Sequence, residues 1–114
     1  MSKEDPQALL PLPPVTFHIL AALADGERHG YAIIQDVAER TGGQLKIQAG
    51  TLYRSIQRML EQGLVVESRE REDDERRRFY RLTPFGRAVA QAEARRLAQM
   101  VKLARAAGFV PGGA

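Results

Sequence analysis

The chain has 114 residues, 44% hydrophobic and 6% aromatic, enough for one core and too few for two. Seventeen Lys and Arg stand against 14 Asp and Glu, a net charge of +3, and arginine supplies 14 of those 17 cations. Without cysteine there is no disulfide framework, thiol nucleophile or thiolate metal site, and without a long apolar run or signal-like start the reading is a soluble cytoplasmic domain.

Pro6, Pro11, Pro13 and Pro14 interrupt any ordinary helix at the start, so residues 1–13 read as a flexible arm. A first helix is predicted over residues 14–24, with Val15, Ile19, Ala22 and Leu23 on one face and Pro14 in its first turn. Asp25-Gly26 stops it. A second helix over 30–41 would bury Ile34, Val37 and Ala38 and end at Gly42-Gly43. A third, from 49 to a stop at Gly63, carries the stripe Leu52, Ile56, Met59 and Leu60, opposite Gly50, Arg54, Gln57, Arg58 and Glu61.

The period then changes from helical to alternating. Residues 64–69 and 78–82 read as two strands joined by the charged run 70–77. Thr83-Pro84 starts a long last helix reaching about Ala107, followed by a loose tail over 108–114. The fold class is mainly α with a small β-hairpin: a winged helix-turn-helix over 14–83 plus a long C-terminal helix over 84–107.

Charge is distributed unevenly over these elements. The balance is −1 through Val66, even from Glu67 to Leu82, and +4 from Thr83 onward. Arg54, Gln57 and Arg58 lie at i, i+3, i+4 on the third helix, the spacing that lets arginine reach guanine and glutamine reach adenine in a major groove. Gly50 and Thr51 would let backbone amides approach a phosphate. The plainer reading is a solvated helix face, and the two stand side by side at this point.

Three segments carry a family resemblance. His29-Gly30-Tyr31-Ala32-Ile33 opens the second helix; residues 50–56 open the third and run on to Leu60-Glu61-Gln62-Gly63-Leu64; residues 77–86 lead from the second strand into the last helix. Together, in order and spacing, they resemble the PadR-like family of bacterial transcriptional regulators. The resemblance implies a homodimeric winged-helix repressor of an inverted-repeat operator, dimerising through its C-terminal helix, as in the short branch of that family.

Carried over by position, the resemblance places Thr51, Tyr53 and Arg54 on double-stranded DNA, with Gln57 and Arg58 one turn on. Tyr31 would support the third helix or reach a phosphate, against the alternative of a core tyrosine. Lys46 is either a phosphate contact or a solvated loop lysine. Arg76, Arg77 and Arg78 would grip the backbone from the wing, unless they pair with the acids of the same hairpin. On the last helix, Ala90, Ala94, Leu97, Val101 and Ala104, widened by Val89, Ala92, Met100 and Leu103, form an apolar stripe suited to a second copy.

A small-molecule effector is left open. Leu97, Met100 and Val101 would line either a ligand pocket or a plainly packed interface, and the absence of Trp favours the second. His18 and His29 lack metal-ligand spacing, and no nucleophile elbow or phosphate loop is present, so neither enzyme nor cofactor is expected. The competing class is a winged helix that binds a protein, which requires exposed Leu, Ile or Phe on the third helix.

Overall fold

The computed structural model describes residues 5–68 and 78–111. Its elements in chain order are α1 (Pro14–Ala22), β1 (Arg28–His29), α2 (Gly30–Arg40), α3 (Ala49–Glu61), β2 (Val65–Ser68), β3 (Phe79–Leu82) and α4 (Pro84–Ala106). The expected helices and both wing strands are present, within one to three residues of the expected ends.

Local chemistry sets the boundaries. Pro14 sits in the first turn of α1, where a missing N–H costs nothing. His29 caps α2: its Nδ1 accepts from the Ala32 amide at 3.2 Å. At the end of α3, the Leu64 amide returns to the Met59 carbonyl at 2.9 Å and closes the last turn. Thr83 caps α4, its Oγ1 accepting from the Gly86 amide at 2.8 Å while donating to the Gly63 carbonyl at 2.6 Å.

The sheet has three antiparallel strands in the order β1-β3-β2, not the two of a bare hairpin. Arg28 faces Tyr80 and His29 faces Phe79 across β1 and β3, while Val65–Ser68 pairs with Phe79–Leu82. A two-residue strand has no alternation to read, so β1 left no trace in the sequence pattern.

The core is centred on α1, which touches α2, α3 and α4. Thr16, Ile19, Leu20, Ala22 and Leu23 are all buried, so this helix is covered on more than the one expected face. On α2 the fully covered side chains are Ile33 and Val37, with Ile34 and Ala38 only partly covered. Leu52, Ile56 and Met59 are buried as the α3 stripe requires, and Leu60 lies at its edge.

Two expectations are corrected. The described part of the N-terminal stretch is not a free arm. Asp5 caps a 3₁₀ turn at Pro6–Leu9 through the Gln7 amide at 3.0 Å, that turn packs on α4, and Leu12 enters the core. Proline forbids an α-helix there but not a short turn that lays Leu9, Leu10 and Leu12 on a neighbour. The buried Glu93 of α4 secures the segment, accepting from the Leu12 amide and from Arg96 at 2.8 and 3.0 Å.

The second correction concerns Val89 and Ala92, which are buried within their own chain and have no surface to offer a partner. The first half of α4, including Gly86, Val89 and Ala92, completes the core. The second half projects beyond it with Leu97, Met100, Val101 and Leu103 exposed. This projection is reflected in a radius of gyration of 15.7 Å, against about 13 Å for a compact domain of similar length.

Candidate nucleic-acid interface

The amphipathic division of α3 determines what faces outward. With Leu52, Ile56 and Met59 committed to the core, Tyr53, Arg54, Gln57 and Arg58 are turned to solvent. At the helix start, Gln48 provides no side-chain cap. The first amides therefore keep no partner from that residue and face the same way as Gly50 and Thr51. Arg54 leans back toward this end, its Nη2 donating to Thr51 Oγ1 at 3.3 Å. Lys46 is exposed in the loop before the helix.

Two tyrosines flank this face. Tyr31, at the start of α2, is 64% exposed, which excludes the core-tyrosine reading. Tyr53 lays its hydroxyl over Gly30, where a Cβ would meet the phenol oxygen, so the glycine of the His29-Gly30-Tyr31 segment exists to admit that ring. The His29 and Phe79 rings meet in a T-shaped arrangement with centroids 5.4 Å apart and planes at 88°, tying the start of α2 to the wing.

The wing stands beside α3 across a cleft of about 560 Å³. Its lining includes Tyr31, Tyr53, Gln57, Glu67, Arg78 and Tyr80. Arg78 is exposed, and its Nε lies 3.8 Å from a Glu67 carboxylate oxygen, so one acid–base pair does form within the hairpin. Burial, followed by the Glu67 charge, pushes the Tyr80 phenol above its ordinary pKa of 10. Arg76 and Arg77 lie outside the described residues, as does the acidic run 72–75.

Glu67 and Tyr80 were absent from the sequence reading of the site. Glu67 was one acid in a block of twelve charges, and Tyr80 one residue of a strand whose facing was undetermined. Their only signal is the alternation of β2 and β3, and it becomes informative once the register Glu67 opposite Tyr80 is known.

The order of helices, the outward arginine face of α3 and the adjoining wing are those of a DNA-reading winged helix. The model of the transcriptional regulator PadR-like family matches residues 19–92. The chain belongs to this family. The PadR-like chain is 36% identical over 88 residues to transcriptional regulator Rv3488 of Mycobacterium tuberculosis, covering 77% of this chain and 79% of that one. Among solved structures, a transcriptional regulator from Clostridium thermocellum superposes with a TM-score of 0.72 at 26% identity, over 85% of this chain and 90% of that one. Bacillus subtilis PadR in complex with operator DNA superposes with a TM-score of 0.61 at 20% identity, over 70% of this chain and 47% of that one, a likeness of fold. The family is one of transcriptional regulators, not enzymes. Among the described residues no helix is long and apolar enough to cross a membrane.

Proposed function

We propose that this PadR-like regulator is a homodimeric repressor, working in the cytoplasm, that reads an inverted-repeat operator with α3 in the major groove. The observation that carries the reading is the α3 face: Arg54, Gln57 and Arg58 exposed together, with Thr51 and Tyr53 at the leading turn. In this reading Arg54, Gln57 and Arg58 address base edges, and Gly50, Thr51, Tyr31, Tyr53, Lys46 and Arg78 position the backbone. Arg76 and Arg77 are proposed to extend that grip from the wing.

The second copy docks on the exposed half of α4 through Ala94, Leu97, Met100, Val101 and Ala104, with Ala90 at the margin. A two-fold axis there presents two reading helices roughly 34 Å apart, one turn of DNA. Bacillus subtilis PadR, a likeness of fold, is solved in complex with operator DNA, which supports DNA as the partner.

A protein-binding winged helix is the weaker reading, because no Leu, Ile or Phe is exposed on α3. The test is selection of DNA from a random library, followed by mobility shift at two salt concentrations. An enriched inverted repeat whose binding falls steeply with salt is expected. Failure to enrich any inverted repeat would refute the proposal.

A further inference from the structure

The cleft between α3 and the wing is shaped and furnished for a small molecule. Its volume of about 560 Å³ lies within the range of small-molecule sites. All three tyrosines of the chain line it: Tyr31 and Tyr53 on the helical side, Tyr80 from the sheet. Phenol rings supply flat apolar surface together with polar rims. The same lining brings one carboxylate, Glu67, to one guanidinium, Arg78, at 3.8 Å, with the Arg78 side chain 69% exposed. So loose and wet a pair contributes little by itself, and it is open to exchange for a molecule that carries both charges. The remaining polar lining is the Gln57 amide and His29, whose Nδ1 is engaged by the Ala32 amide.

We infer that this cleft binds an aromatic zwitterion of the α-amino-acid type, its ammonium on Glu67, its carboxylate on Arg78 and its ring among the three tyrosines. A lone anion meets the Glu67 carboxylate, a lone cation meets the Arg78 guanidinium, and a neutral ring engages neither charge. Tyr53 and Gln57 belong both to this cleft and to the α3 face, so an occupied cleft withholds them from DNA. That regulatory consequence rests on the DNA-reading proposal, whereas the binding itself does not.

The test uses the full chain and three probes sharing one phenyl group: L-phenylalanine, 2-phenylethylammonium and 3-phenylpropionate. With only three tyrosines, all in the cleft lining, the tyrosine signals of the aromatic NMR spectrum give one ring set for each of them. L-phenylalanine is expected to shift all three sets and to bind at least about tenfold more tightly than either single-charge probe. Glu67→Gln should reduce it to the affinity of the carboxylate probe, and Arg78→Gln to that of the ammonium probe. Absence of any tyrosine shift at roughly 10 mM probe overturns the proposal. So does equal binding of the three probes, or an unchanged preference in both variants.

A separate arm adds L-phenylalanine to the selected operator complex. At about nine times its own Kd it should weaken DNA binding about tenfold, as direct competition requires. Binding without competition overturns the regulatory part. Because the ring signals are read without DNA and operator binding is first read without probe, failure of one proposal is distinguishable from failure of the other.

Discussion

At the scale of single residues, the reading face depends on how two side chains are stationed. Arg54 rests against Thr51, so in the proposed complex it would exchange a neutral partner for a base edge. Replacing it with alanine should relax base choice at one position of each half-site by about 1–3 kcal/mol, measured on operators varied one pair at a time. Equal weakening on every sequence would assign Arg54 to phosphate instead. Tyr53 is stationed by an absence, the missing Cβ of Gly30. In Gly30→Ala the ring must swing away and the Leu52 Cδ2 methyl must give by a few tenths of an ångström, but no backbone moves. The urea midpoint should therefore correspond to a change within about 1 kcal/mol, while operator affinity falls several-fold. The outward placing of Arg54, Gln57 and Arg58 was legible in the sequence because a 3.6-residue period determines it. The convergence of Glu67 and Tyr80 on the same cleft was not, because strand register is decided by tertiary pairing.

At the scale of elements, α3 and the first half of α4 were legible for the same reason: each has an apolar stripe and a recognisable start. The packed N-terminal segment was hidden because prolines conceal helical period without preventing burial, and its anchor is a contact between residues 12 and 93 far apart in the chain. That anchor has a titration signature. Hydrogen bonds from Arg96 hold the Glu93 carboxyl below its ordinary value of 4.5, more than burial raises it. A carboxyl with a lowered folded pKa gives stability that is complete above pH 4.5 and is lost as pH falls through the folded value. Urea midpoints of the parent and of Glu93→Gln should therefore differ most near neutrality and converge below pH 4.5. A gap that stays constant on acidification would show that charge on Glu93 does not hold the segment.

At the scale of the whole molecule, the apolar face that α4 buries in its own domain continues, uncovered, through Leu97, Met100 and Val101. Val101→Glu leaves the core untouched and should convert a dimer at micromolar concentration to a monomer by sedimentation. It should abolish cooperative binding to a full inverted repeat while sparing weak binding to a half-site. A parent chain that already sediments as a monomer would refute the α4 dimer. The sequence pattern suggested this stripe but placed Val89 within it, because periodicity marks the face of a helix and not the point where one domain ends. Thr83 joins the end of α3 to the start of α4. Its hydroxyl spans Gly63 and Gly86, and Gly86 presses so closely on the Leu64 carbonyl that no Cβ fits between them. The last turn of α3 and the first turn of α4 are therefore welded, with no slack in the joint. Two such chains would behave as a pair of callipers whose jaws are the reading helices, so the gauge of the operator would be ruled by the angle at which the α4 shafts cross.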